Sequence, residues 1–166
     1  MSEQAVKPRF PAKSARRRSR ELAVQGMYQW RLTGEKHTLI EKQIIEQVTG
    51  HYDVAFFKIL LQGVLAQRES LEKLVGTHLD RPVNELSPIE YSILMLGAYE
   101  LFYQTETPYR VIINESVDLT KTFGGTDGHK YVNGVLDKLA AQIRMIEIHA
   151  ENKPNLILPR ETNKKS

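Results

Sequence analysis

With 166 residues and 41% apolar content, the chain can build one domain with a real core, and none of its apolar runs reaches the ~18–20 residues of a membrane span. Cysteine is absent, which excludes disulfide frameworks, thiolate metal sites and cysteine nucleophiles. The net charge of +3 conceals an asymmetry: residues 1–20 set seven basic groups against Glu3 alone, while the rest of the chain holds 16 basic and 19 acidic groups. A concentrated basic segment on a mildly acidic body is the pattern of an arm that docks on a polyanion. No apolar stretch of secretory type follows the basic start, and a cytoplasmic protein is expected.

Residues 1–13, with Pro8 and Pro11, read as a disordered arm, and a helical domain is expected over 14–149. Ala15, Leu22, Ala23, Gly26, Met27 and Trp30 recur at helical spacing and predict a first helix ended by Gly34. Arg16, Arg17 and Arg20 are expected off that stripe, so the helix should anchor by its second half and expose arginines from its first. Leu39, Ile40, Ile44, Ile45 and Val48 predict a second helix, stopped by Gly50. Asp53 is a candidate cap for one long third helix, with a core face running from Val54 and Phe57 to Leu74 and Val75.

The clearest local signal is "LSPIEYSILMLGAYELFY", residues 86–103. Ser87 reads as an N-cap, Pro88 suits the first helical position, and Glu90 completes a capping box. The nearly continuous apolar run behind them predicts a central helix. A further helix is expected from Pro108, with Val111, Ile112, Val117, Leu119 and Phe123 inward and Gly124–Gly125 at its end. Thr126 or Asp127 then caps a last helix carrying Val132, Val135, Leu136, Leu139, Ile143 and Ile146. Residues 150–166 read as a flexible tail. No segment alternates with period two between hairpin turns, so the expected class is all-α, with six or seven helices.

Few residues announce chemistry. "GGTDGHKY", residues 124–131, lacks the Gly-Lys-Ser/Thr of a phosphate loop and follows a helix rather than a strand. It reads first as a helix connector, with Lys130 and Tyr131 as a secondary anion or nucleotide contact. The five histidines show no i, i+3 or i, i+4 pair, so no metal site is expected. Glu115 and Asp118 can share a helix face, but nothing marks them as an acid–base pair. Tyr28 and Trp30 fit packing better than base stacking.

Three separated motifs, in order, carry a family resemblance. "SARRRSRELAVQGMYQW" (14–30), "YRVIINESVDLTKTFG" (109–124) and "HKYVNGVLDKLA" (129–140) resemble the bacterial antitermination factors of the NusB family, with "ELSPIEYSILMLGAYEL" (85–101) between them. The resemblance implies an arginine-rich first helix leading into two three-helix subdomains, without catalysis or cofactor. It implies binding of the boxA element of nascent ribosomal RNA together with NusE, a ribosomal protein of the small subunit. RNA polymerase and other Nus factors are then further partners.

Residue by residue, the resemblance makes Arg16, Arg17, Arg18 and Arg20 RNA contacts, and Lys130 and Tyr131 a basic–aromatic pair that meets RNA. Asp127 matches an acidic position beside that surface. Tyr28 and Glu90 match the protein-partner face. Tyr131, where Phe is commoner, and Gly128, expected to loosen the turn, are local departures. The domain type also precedes the catalytic part of some ribosomal RNA cytosine methyltransferases, but no catalytic cysteine and no room for a cofactor domain are present. A protein-interaction or oligomerisation module with an incidental basic arm is the competing reading, and a homodimer covering the arginine helix stays open.

Overall fold

The computed structural model describes residues 12–125, 127–145 and 148, with side chains from residue 15 onward, and among these it contains seven α-helices, one 3-10 turn and no strand. The helices are α1 (Ala12–Thr33), α2 (His37–Gln47), α3 (Val54–Ala66), α4 (Arg68–Gly76), α5 (Pro88–Tyr103), α6 (Tyr109–Phe123) and α7 (Gly128–Ile143). The 3-10 turn, Val83–Glu85, leads into α5. The all-α expectation holds, with a first helix followed by α2–α4 and α5–α7. Of the expected arm, only Ala12 and Lys13 are described, and they open α1; the tail, Thr126 and Ile146 lie outside the described residues.

Helix α5 is the hub, packed against α1, α3, α4, α6 and α7. Its sequence explains this position. Tyr91 through Ala98 are all buried, and a helix apolar on every side must be covered on every side. Its start is fixed by the expected capping box: Glu90 N–H donates to Ser87 Oγ at 3.1 Å, and Ser87 N–H donates to Glu90 Oε1 at 3.3 Å. Its far end is held by Arg144, just past α7, which donates to the carbonyls of Leu101 and Gln104 and to that of Thr107 in the following connector. The bond to Leu101 satisfies an acceptor that a helix terminus leaves open.

Two contacts give the direction of α1. Arg20 meets Glu100, and the Arg31 guanidinium lies 3.9 Å from the ring centroid of Tyr91. Residue numbers rise along α1 as they fall along α5, so the two helices are antiparallel. Leu22, Ala23, Val24 and Met27 form the buried face of α1, which packs on α2 and α3 as well as α5. Gly34 ends α1 at φ +72°, a conformation that favours glycine, with its N–H bonded to the Trp30 carbonyl.

The expected long third helix is two helices. At Gln67 the backbone turns to φ −103°, ψ 18°, yet hydrogen bonds from Gln67 N–H to Gly63 O and from Leu71 N–H to Gln67 O continue across it. Asp53 caps α3 as expected, accepting from Phe56 N–H at 3.0 Å. Val54, Leu39 and Val111, expected inward, are exposed; Leu39 and Val111 directly precede the fully buried Ile40 and Ile112, and consecutive helical residues point about 100° apart. Helix α2 ends at Gln47, ahead of Gly50, which lies in the connector at φ +97°.

Candidate nucleic-acid interface

Ser19 sets the first half of α1 against the start of α3. Its hydroxyl is buried, donates to the Asp53 carbonyl at 2.7 Å and accepts the Asp53 N–H at 2.9 Å. Three guanidinium groups fan out from this anchored turn. Arg16 lies over the Phe56 ring, 3.9 Å from its centroid, with Nε 3.8 Å from Asp53 Oδ2. Arg17 points to α6, donating from Nε and Nη2 to Glu115 at 3.0 and 2.8 Å, and from Nη2 to Asp118 at 2.8 Å. Arg18 turns outward, donating to Glu21 at 2.9 Å. All three are exposed.

Arg20 is not exposed, which corrects the sequence expectation. It retains 5% exposure and pairs at two points with Glu100, with Glu115 Oε1 3.7 Å from its Nη1. The physical reason is register. Arg20 precedes Ala23, Val24 and Met27 by three, four and seven residues, so it shares their buried face. Burial alone would lower its pKa, but the hydrogen bonds and charge of Glu100 raise it above the ordinary arginine value. Arg17 is raised too, first by its hydrogen bonds to Glu115. Glu115 and Asp118 do share a face, and Arg17 is gripped between them.

A second cluster forms where α7 begins. Lys130 is exposed, 3.9 Å from Asp127 Oδ1. Asp127 sits at the cap position of α7, but its side chain makes no cap hydrogen bond, contrary to expectation. Tyr131 donates its hydroxyl to Asp80 Oδ1 at 3.0 Å, and Arg81 lies 4.5 Å over its ring. Asp80 is held below its ordinary value by the Arg81 hydrogen bond and then by that of Tyr131. Tyr131 is raised, chiefly by burial. Asp80 and Arg81 are absent from the sequence expectation, because their link to Tyr131 spans about 50 residues.

Gly128 packs closely at this turn. It is the first residue of α7, and a Cβ there would meet Thr120 Cγ2 at 3.3 Å and Glu90 Oε2 at 3.6 Å. Glu90 therefore touches the start of α7 while its neighbour Ile89 lines a cavity of about 350 Å³ with Tyr28, Val24, Ile44 and Phe123. Tyr28 is 40% exposed at the rim of this cavity, not packed inside as expected; Trp30 is half-buried against the core. The structure thus separates the sequence-predicted residues into three places. Arg16, Arg17 and Arg18 stand on the first turns of α1, with Arg16 against α3 and Arg17 against α6. Lys130 and Tyr131 stand on the first turn of α7, where Tyr131 meets the connection between α4 and α5. Tyr28 borders the cavity, with Glu90 between the last two.

Known proteins match this arrangement of elements and motifs. The transcription antitermination protein NusB of Dechloromonas aromatica (strain RCB) is 54% identical over 153 residues, covering 92% of this chain and 94% of that one. A structure of T. maritima NusB superposes with a TM-score of 0.72 at 23% identity, covering 86% of this chain and 99% of that chain. A crystal structure of the antitermination factors NusB and NusE in complex with dsRNA gives a TM-score of 0.70 at 24% identity, covering 76% of this chain and 96% of that chain. At those identities the two structures establish the shared fold alone. The NusB family model matches residues 17–141. By that match and by the identity to its curated relative, the chain belongs to the NusB family.

Proposed function

We propose that this protein is a non-enzymatic, cytoplasmic RNA-binding antitermination factor. It binds boxA-type single-stranded RNA of nascent ribosomal transcripts together with the ribosomal protein NusE. With RNA polymerase and other Nus factors it suppresses termination and assists ribosomal RNA maturation. The observation that carries the reading is the first turns of α1, where Arg16, Arg17 and Arg18 are exposed on a segment anchored by Ser19 and Arg20. Guanidinium groups bind phosphate at two points and also stack on bases. Lys130 and Tyr131 add a cation and an aromatic ring, and Asp127 tempers both. Tyr28 and Glu90 present the partner face, whose cavity can take an apolar side chain of NusE. A related NusB was crystallised with NusE and dsRNA, which supports both ligand classes.

Fluorescence anisotropy of a short boxA-type RNA across a salt series, with and without NusE, tests this reading. The protein should prefer boxA to scrambled RNA and gain affinity with NusE. Its affinity should fall by roughly 0.7 log unit per log unit of salt for each neutralised phosphate. An Arg16→Ala/Arg17→Ala/Arg18→Ala variant should lose binding and most of that slope. Equal binding by the variant would shift the assignment to a protein-interaction module.

A further inference from the structure

We infer that Arg81 is a base-stacking platform: its guanidinium, laid on the ring of Tyr131 and tethered by Asp80, receives an unpaired nucleobase on its outer face. The inference rests on the RNA-binding reading and adds to it a residue and a mode of contact.

One face of Tyr131 is already occupied. The Arg81 guanidinium carbon lies 4.5 Å from the ring centroid, well inside the ~6 Å range of cation–π attraction. A base approaching that face must displace Arg81 or stack upon it. Stacking upon it extends an existing pile, since a guanidinium is planar and stacks with aromatic faces.

The platform is held in place before any ligand arrives. Arg81 Nε donates to Asp80 Oδ1 at 2.8 Å, and the Tyr131 hydroxyl donates to the same oxygen at 3.0 Å. Asp80 N–H returns a longer bond to the Tyr131 oxygen at 3.4 Å. Pro82 follows directly and biases the Arg81 backbone toward extended conformations. Asp80 and Arg81 are both exposed, so this order is built at the surface and the core does not require it.

Charge points the same way. Arg81 and Lys130 face Asp80, Asp127 and Glu90, so the patch carries no net positive charge to gather phosphates. Its binding power lies in flat faces, with Lys130 turning from Asp127 to one phosphate beside the stacked base. The arginine turn of α1 differs in charge, with Arg16, Arg17 and Arg18 exposed together on consecutive positions.

The test uses the full chain with NusE and a set of boxA-type RNAs, each carrying 2-aminopurine at one position. Wild type should change the emission at one position on binding. Arg81→Ala should restore the free-strand emission there and weaken binding about tenfold, within the range for one lost stacking contact. Arg81→Lys keeps the charge without the plane; it should keep the salt slope but recover neither the emission change nor most of the affinity. Wild-type affinity and emission in Arg81→Ala, or full recovery by Arg81→Lys, would overturn the platform. If Arg81→Ala melts early, Arg81→Lys decides by the same criteria. Failure of wild type to bind any of the RNAs would instead sink the RNA-binding reading, and the platform with it.

Discussion

Arg20 and Glu100 meet at two points inside the α1–α5 interface, Nε to Oε2 at 2.7 Å and Nη2 to Oε1 at 2.8 Å, with Glu100 only 2% exposed. The pair fixes where the arginine turn stands on the body of the protein. Breaking it leaves a buried guanidinium without its main counter-charge. Glu100→Gln should therefore destabilise by about 3–5 kcal/mol, as other broken buried pairs do. Urea denaturation measures this, and a loss below about 1 kcal/mol would show that Glu115 alone satisfies Arg20. RNA binding by the folded fraction should persist, because Arg16, Arg17 and Arg18 are untouched and Ser19 still ties their turn to the start of α3.

Arg17 presents the reverse profile. It is exposed, and its ion pair with the exposed Asp118 contributes about 1 kcal/mol or less, while the buried Glu115 beneath it keeps Arg20 as a second counter-charge at 3.7 Å. Arg17→Ala should cost less stability than Glu100→Gln while weakening RNA binding. Its carboxylate grip suggests a gain-of-binding variant. Asp118→Asn keeps the shape of the site and removes one charge that competes with phosphate for Arg17. One charge at ~5 Å in a water-like medium corresponds to roughly a two- to fourfold gain in affinity at low salt. Anisotropy titrations of both variants check the pair of opposite signs.

Asp127 should behave like Asp118 at the other cluster. It is exposed, bonds no backbone N–H at the start of α7, and lies near Lys130. Asp127→Asn should strengthen RNA binding about two- to fourfold and leave the melting temperature unchanged. Weaker binding would show that Asp127 orients Lys130 instead of repelling RNA.

What could be read in advance divides along a physical line. The capping box of α5, the Asp53 cap and the Gly34 stop depend on residues three or four apart, and all three stand as expected. Arg20 was misplaced because its partner is 80 residues away, and a charged side chain reads as exposed until a counter-charge is found. Glu100 held the missing clue, as a carboxylate that follows directly on the buried apolar stretch Tyr91–Ala98 of α5. The break at Gln67 left no mark, because no proline or glycine stands there and the hydrogen bonds run through it. Arg81 escaped because only tertiary folding brings the α4–α5 connection to Tyr131.

Tyr91 gives the fold an alkaline limit. Burial, and then its hydrogen bond to Glu72, push its pKa above the ordinary value near 10. A folded value above the unfolded one means stability that is complete below pH 10 and lost as pH rises toward the folded value. Above pH 10 this group should cost up to about 1.4 kcal/mol per pH unit. Chemical denaturation at pH 9 and at pH 11 should show the decline, and Tyr91→Phe should flatten it. An equally steep decline in Tyr91→Phe would move the effect to another group.

Gly97 sits mid-helix in α5, where propensity alone favours Ala by about 1 kcal/mol. The packing reverses that preference. A Cβ at this position would lie 2.9 Å from Leu136 Cδ1 and 3.0 Å from Ser116 Oγ, so α6 and α7 close onto α5 at the one place with no side chain. Overpacking at such a crossing costs about 1–3 kcal/mol and more where several elements meet. Gly97→Ala should therefore destabilise by about 1–2 kcal/mol net, lowering Tm by roughly 2–8 °C. Leu136→Ala is destabilising alone, because it empties a fully buried site, yet combined with Gly97→Ala it should cost less than the two separately. Thermal melts of the two single variants and the double close that cycle. Strict additivity would mean that Leu136 is not what Gly97 makes room for, and the closeness of α5 to α7 would need another cause.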